Sequence, residues 1–85
     1  MELTKKNLKL LQQGLCRVVF WVPWGKPSFQ QIEIAKKLKS KYNLFLLNVE
    51  ENIEVARQFD ICLYPTTIYF RDGLEEKRLV GFQKE

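Results

Sequence analysis

The chain has 85 residues, a length that fits one small domain, over residues 1–85, with a modest hydrophobic core. Hydrophobic residues make up 46% of it and charged residues 28%, which is ordinary for a soluble globular protein, and no apolar run approaches a membrane span. The net charge of +4 is not concentrated in a basic patch with interleaved stacking aromatics, so we expect no nucleic-acid partner. With no histidine and two separated cysteines, no metal site is expected.

The N-terminal region does not have the pattern of a secretory signal. Its lysines are followed by Gln12 and Gln13, and Arg17 interrupts the first apolar stretch. Leu15 precedes Cys16, where a lipidation signal would need a small residue. We therefore expect a cytoplasmic protein that has no membrane partner.

Two helices and one strand are predicted in the first half of the chain. Residues 4–13 are expected to form a helix that ends at Gly14. A β-branched and aromatic strand follows over residues 16–22, and Pro27 suits the first turn of a main helix over residues 28–41. The predicted buried stripe of that helix consists of Phe29, Ile32, Ala35, Leu38 and Tyr42.

Three strands and a short helix are predicted in the second half. Residues 44–49 are almost all apolar, which predicts a strand buried on both faces. A short helix is expected from Asn52, its cap, to about Gln58, with its apolar side chains, Ile53 among them, facing inward. Strands over 66–70 and 75–82 flank Arg71-Asp72-Gly73, a strong hairpin signal.

One segment joins the first strand to the main helix and reads Phe20-Trp21-Val22-Pro23-Trp24-Gly25-Lys26-Pro27-Ser28. The motifs that follow it in order are Leu47-Asn48-Val49-Glu50, Phe59-Asp60-Ile61, Tyr64-Pro65-Thr66, Arg71-Asp72-Gly73 and Val80-Gly81. Together these motifs resemble the thioredoxin family, whose active-site segment is Phe-Trp-Ala-x-Trp-Cys-Gly-Pro-Cys. The resemblance spans roughly residues 3–82, and the ordered set is more specific than any single motif.

The resemblance implies an α/β, thioredoxin-like fold with about four strands in a mixed sheet flanked by helices. The second strand would lie beside the first and parallel to it, with the terminal hairpin on the other side. The family's usual first strand and last helix have no counterpart in the sequence. We therefore expect an exposed edge at residues 44–49 and an uncovered sheet face, and hence a homodimer or another protein partner.

The most informative departure from the family lies at the two active-site cysteine positions, which hold Gly25 and Ser28. Val19 and Leu46 stand where the family has a buried acid and a lysine that handle protons. Dithiol chemistry needs a thiolate at the helix start, and glycine supplies no nucleophile. We therefore expect no catalytic residue at this turn.

A peptide-binding groove is the second feature that the resemblance implies. Trp24, Tyr64, Pro65 and Gly81 would frame it, with a cis peptide bond before the proline. Such a groove binds extended peptide through main-chain hydrogen bonds and needs no thiol. The alternative is that Trp24 merely covers the start of the helix.

Cys62 is the candidate reactive thiol, because it precedes Pro65 by three residues and would lie near the rim of the groove. An inert cysteine is the simpler interpretation, since the chain has no histidine to act as a base. Cys16 is predicted to be a small buried hydrophobe at the far end of the sheet.

Three functional hypotheses follow. The first is a redox-inactive thioredoxin-like module that binds a protein or peptide, or assembles with itself, and uses no cofactor. The second is a monothiol protein of cell redox homeostasis that exchanges disulfides through Cys62. The third is a structural subunit whose exposed edge and uncovered face serve only assembly.

Overall fold

The computed structural model describes residues 1–84; Glu85, the last residue of the predicted domain, lies outside the described part. A 3-10 helix, two α-helices and four β-strands follow one another along residues 1–84. In chain order they are the 3-10 helix Leu8–Gln12, β1 Leu15–Trp21, α1 Lys26–Lys37, β2 Asn43–Asn48, α2 Ile53–Gln58, β3 Thr66–Arg71 and β4 Leu74–Val80.

The four strands form one mixed sheet in the order β2-β1-β3-β4. β1 runs parallel to β2 and antiparallel to β3, and β3 and β4 form an antiparallel hairpin. The predicted α/β fold with a four-stranded mixed sheet is therefore confirmed. At the hairpin turn, φ is 48° at Asp72 and 89° at Gly73, a left-handed pair that suits Asp-Gly and matches the twist of the strands.

The first face of the sheet carries the main hydrophobic core. Cys16, Val18 and Phe20 alternate along β1 and are buried together, because successive side chains of a strand point to opposite faces. Leu11 of the 3-10 helix and Val55 of α2 pack against them, so both short helices cover this face.

The second face of the sheet is covered in part by α1. Val19 of β1 is fully buried and packs with Ile32 and Ala35 of α1. Within residues 1–84, α1 packs mainly over β1 and β2.

The predicted helix over residues 4–13 is wrong, because the segment is helical only over Leu8–Gln12, as a 3-10 helix. Local hydrogen bonds turn the chain before it: Thr4 N donates to Asn7 Oδ1 at 2.7 Å, and Asn7 N donates to Thr4 O at 3.1 Å. Asparagine side chains that bond nearby backbone groups compete with α-helix formation.

The main helix differs from its prediction in extent and in its buried stripe. It begins at Lys26, two residues early, and ends four residues early. Ile32 and Ala35 are buried as predicted. The remaining predicted members of the stripe are exposed or half-buried: Phe29, Leu38 and Tyr42.

Asn52 precedes α2, as predicted, but its side chain makes no capping hydrogen bond. Its Nδ2 instead donates to Asn48 O at 3.0 Å, and its Oδ1 accepts a bond from Lys5 N at 3.4 Å. The residue therefore ties the end of β2 to the N-terminal segment.

The edge of β2 is less exposed than predicted. Leu46 N donates to Met1 O at 2.9 Å, and Leu3 N donates to Leu46 O at 2.7 Å. Glu2 forms an isolated parallel bridge with Leu46. The expectation that nothing pairs with β2 before the first helix is therefore corrected: residues 1–3 occupy the middle of this edge, although they form no regular strand.

Among residues 1–84, the structure contains no helix with both the length and the apolar character needed to cross a membrane.

Candidate functional site

The turn between β1 and α1 holds both positions at which the resemblance predicts cysteines. Gly25 is the N-cap of α1, with φ −104° and ψ 113°, and Ser28 lies in the first turn. Ser28 N donates to Gly25 O at 3.0 Å, and Gly25 N donates to Val22 O at 3.3 Å. Pro27 lies in the first turn, where its missing N–H removes no helical bond.

Ser28 is buried within this turn, with 1% of its surface exposed. Its Oγ accepts a hydrogen bond from Val22 N at 3.2 Å. A serine hydroxyl needs an adjacent base to become a nucleophile, and the chain contains no histidine. Ser28 therefore acts as a structural acceptor that joins the end of the strand to the helix.

Gly25 leaves little room for a side chain. A Cβ built on it would lie 3.1 Å from Val22 Cγ2 and 3.5 Å from Ser28 Oγ. The first distance is tighter than ordinary van der Waals contact, so the valine would have to shift slightly. The second shows that side chains at these two positions would adjoin each other.

The residues beneath the turn are apolar. Val19 of β1 and Leu46 of β2 are paired in the sheet register, and both pack in the cluster below α1. Neither side chain can donate or accept a proton at this place. The arrangement therefore lacks the acid and the lysine that the resemblance would supply here.

A cis peptide bond joins Tyr64 and Pro65, and Pro65 is among the fully buried residues. Gly81 N donates to Pro65 O at 2.8 Å, so the start of β3 is tied to the end of β4. Thr66 Oγ1 donates to Leu63 O at 2.6 Å and fixes the preceding loop. Three of the four predicted groove residues thus meet at one junction.

Trp24 and Tyr64 both line an open groove of about 300 Å³, which we call the Trp24–Tyr64 groove. Trp24 is 68% exposed, and Tyr64 is 39% exposed. Aromatic side chains with one apolar body and one polar group are effective contact surfaces. The rest of the lining is Val49, Glu50, Ile53, Ala56, Arg57 and Ile61.

The contribution of α2 to the groove was missed at the sequence level. Ile53 was expected to face inward, but it is 50% exposed and lines the groove. Arg57, one turn later, lines it too, because residues four apart share a helix face. The sequence signal that could have revealed this contribution was Ile53, an apolar residue at the first position of a short helix.

Cys62 is exposed, close in sequence to the groove but outside its lining. Its thiol lies 3.9 Å from Asp60 O, a weak hydrogen bond. The same carbonyl accepts a bond from Arg78 Nη1 at 3.2 Å. Arg78 itself forms an ion pair with Glu75, so its positive charge is already balanced by that carboxylate.

Cys16 is buried, as predicted, and its thiol points to Leu10 O at 3.8 Å and Gln13 O at 3.7 Å. Burial raises the pKa of this thiol, and the Asp72 carboxylate raises it further. The thiolate is therefore disfavoured. Both cysteines are free.

Within residues 1–84, the structure holds no group of three or more metal-ligating His, Cys, Asp or Glu side chains.

Comparison with known proteins gives a consistent result. A thioredoxin of Staphylococcus saprophyticus is 34% identical over 77 residues, covering 86% of this chain and 74% of that protein. A thioredoxin of Alicyclobacillus acidocaldarius is 36% identical over 89 aligned positions, covering 98% of this chain and 85% of that protein. The crystal structure of Schistosoma mansoni thioredoxin superposes with a TM-score of 0.89 at 26% identity, over 98% of this chain and 83% of that one.

No protein-family model matches the sequence. The level of identity to the two bacterial thioredoxins and the extent of the alignments nevertheless show that this chain belongs to the thioredoxin family.

Proposed function

We propose that this chain is a thioredoxin-family module that binds an extended polypeptide in the Trp24–Tyr64 groove without dithiol chemistry. One observation carries the proposal: the exposed aromatic groove and the Tyr64–Pro65 junction are present, while the adjoining turn holds Gly25 and a buried Ser28. The binding surface and the redox centre are separable, because main-chain recognition needs no thiol.

The backbone of Tyr64 is the proposed hydrogen-bonding edge. Within residues 1–84, the structure records no hydrogen bond to the Tyr64 amide or carbonyl. The residue is partly exposed, so these groups are available to an extended peptide, as at an unpaired sheet edge. Trp24 and Ile53 would then supply apolar contact beside the peptide backbone.

The absence of dithiol exchange is supported by the turn and by what lies under it. Ser28 Oγ already accepts the Val22 N–H, and Val19 and Leu46 provide no group for proton transfer. We also propose a cytoplasmic location, in keeping with the interruption of the first apolar stretch by Arg17.

A library of random 12-residue peptides displayed on phage tests this proposal. We expect selection in excess reductant to yield peptides whose affinity falls at least about tenfold in the variant Trp24→Ala/Tyr64→Ala. Leu74→Ala is the matched control, because Leu74 is an exposed apolar residue of the β3–β4 hairpin. Equal binding by all three proteins would contradict the proposal.

Monothiol exchange through Cys62 is the second candidate function, favoured by the exposure of that thiol. Its thiolate would attack a substrate disulfide, form a mixed disulfide and release the other substrate sulfur as a thiolate. The test is reduction of insulin by dithiothreitol, compared with Cys62→Ser and a blank without protein. An acceleration that Cys62→Ser abolishes would support this function; a rate equal to the blank would remove it.

A further inference from the structure

Arg17 lies on β1, in the middle of the sheet, and only 4% of it is exposed. Its Nη2 donates to the carbonyl oxygens of Ala35 at 2.8 Å and Leu38 at 3.1 Å. The guanidinium therefore lies at the C-terminal end of α1, where the helix dipole favours a cation. Its Nε is also buried but has no hydrogen-bond partner among residues 1–84.

The charge of Arg17 also lacks a counterion among the described residues, 1–84. Within residues 1–84 no carboxylate forms an ion pair with it. The acids of β4 are engaged elsewhere, since Glu75 pairs with Arg78 and Glu76 pairs with Arg71. A buried charge costs free energy unless it is paired and hydrogen-bonded, so this site favours a negative group.

Arg17 lines a cavity of about 60 Å³ on the second face of the sheet, where α1 ends and the β3–β4 half begins. Most of the wall is apolar or aromatic, formed by Val19, Ile34, Leu38, Tyr69 and Leu79. The Lys77 ammonium lies 4.7 Å from the centroid of the Tyr69 ring and adds positive charge nearby. We call this region the Arg17 face.

We propose that the Arg17 face binds a helix of a partner polypeptide, and that one carboxylate of this helix enters the cavity and pairs with Arg17. The apolar wall suits an apolar helix face, since sheets bury their open faces under helices. A guanidinium pairs with a carboxylate through charge-assisted, often bidentate hydrogen bonds. This interaction goes beyond the proposed function and uses none of the residues of the Trp24–Tyr64 groove.

Charge decides between the possible occupants. A second copy of this chain is disfavoured, because each copy has a net charge of +4 and would bring Arg17 and Lys77 towards like charges. A free inorganic anion would satisfy Arg17 but leave the apolar wall uncovered. A carboxylate attached to an apolar helix satisfies both.

The probe is a synthetic amphipathic helix of about 16 residues, long enough to be helical in water when rich in alanine. One face carries Leu and Ala with a single Glu at its centre, and the other face carries Lys, Glu and Gln so that the peptide is neutral overall. A matched peptide has Gln in place of the central Glu. We expect the Glu peptide to bind the full chain at least about tenfold more tightly, measured by fluorescence anisotropy.

Three variants locate the effect. Arg17→Leu should abolish the preference for the Glu peptide, whereas Arg71→Leu, which removes an exposed arginine, should retain it. Leu79→Asp, which places an acid in the cavity wall, should weaken binding of the Glu peptide more than that of the Gln peptide. This last variant keeps the test decisive if Arg17→Leu does not fold.

A direct readout is the ¹⁵Nε signal of Arg17, which should shift with the Glu peptide and not with the Gln peptide. Equal affinities for the two peptides, or a preference that survives Arg17→Leu, would overturn the proposal. So would an Arg17 signal that responds to inorganic phosphate and not to the Glu peptide, which assigns the site to a free anion. The preference for the Glu peptide over the Gln peptide should persist in the variant Trp24→Ala/Tyr64→Ala. If this variant loses the preference, the peptide binds in the Trp24–Tyr64 groove and the proposal is overturned.

Discussion

The backbone N–H of Val22 donates a hydrogen bond to Ser28 Oγ over 3.2 Å, and the bond is buried. It joins the segment that leaves β1 to the first turn of α1. At this turn a structural hydrogen bond thus occupies a position where the resemblance predicts a cysteine. The identity of this one side chain links the stability of the junction to the proposed absence of dithiol exchange.

Ser28→Ala removes the acceptor and leaves the buried Val22 N–H without a partner. The expected cost is about 1–3 kcal/mol of the free energy of unfolding. Urea denaturation measures it. The matched control is Ser40→Ala, because Ser40 Oγ also accepts a backbone N–H, that of Tyr42, but at an exposed site. Equal losses in the two variants would contradict the structural role of Ser28.

Gly25→Cys/Ser28→Cys restores thiols at positions that adjoin each other, since a Cβ on Gly25 would lie 3.5 Å from Ser28 Oγ. We expect this double variant to accelerate insulin reduction above the parent chain, with a rate limited by the apolar Val19 and Leu46 beneath the turn. The single variants are the controls. A folded double variant with no activity would show that the turn geometry, and not only the missing thiols, prevents exchange.

Cys16 makes stability depend on alkaline pH. Burial, and secondarily the Asp72 carboxylate, raises the pKa of its thiol above the ordinary value of 9.0, so the unfolded chain ionises first as pH rises. The stabilisation from the neutral thiol is complete below pH 9.0 and is lost as pH rises through the folded-state pKa. The difference in unfolding free energy between the parent chain and Cys16→Ala should therefore narrow above pH 9.0. A difference in unfolding free energy that stays constant above pH 9.0 would contradict this prediction.

Homodimerisation stays a prediction, and the structure narrows where it can occur. Residues 1–3 bond this edge at Leu46 N and O, and the N-terminal amine donates to Leu44 O at 3.2 Å, so only the ends of β2 are open to a second copy. We expect a weak dimer in sedimentation velocity, weakened further by Asn43→Lys at the exposed start of β2, because charge on an edge strand opposes pairing. Leu10→Lys, at an exposed position of the 3-10 helix outside the sheet, is the control. A monomer at high concentration would end this prediction.

The sheet could be predicted because its strands carry strong local signals. β1 and β2 are rich in apolar residues, interrupted in β1 by Arg17, and Asp72-Gly73 marks the hairpin. The junction at Pro65 was placed by its position in an ordered set of motifs. The strand and hairpin signals are local in sequence, whereas the Pro65 junction was recognised through the resemblance of the whole set of motifs to a known family.

The features that escaped prediction depend on tertiary contacts. The pattern of residues 4–13 suited an α-helix, but Asn7 bonded the backbone locally and only a 3-10 turn formed. Phe29 fitted the buried stripe by spacing, yet its ring lies beside Trp21 at the exposed rim, 5.6 Å between centroids. In the sequence, Arg17 was interpreted as an interruption of an apolar strand. Its burial against the end of α1 could not be predicted, because it depends on a contact with Ala35, 18 residues away.

The central claim is that polypeptide binding in the groove does not need a thiol. The most direct test is the dissociation constant of one groove-selected peptide for three proteins in excess reductant: the parent chain, Cys62→Ser and Trp24→Ala. We predict that Cys62→Ser binds within about twofold of the parent, whereas Trp24→Ala binds at least about tenfold more weakly. Loss of binding in Cys62→Ser, with binding retained in Trp24→Ala, would contradict the account and assign the interaction to the thiol.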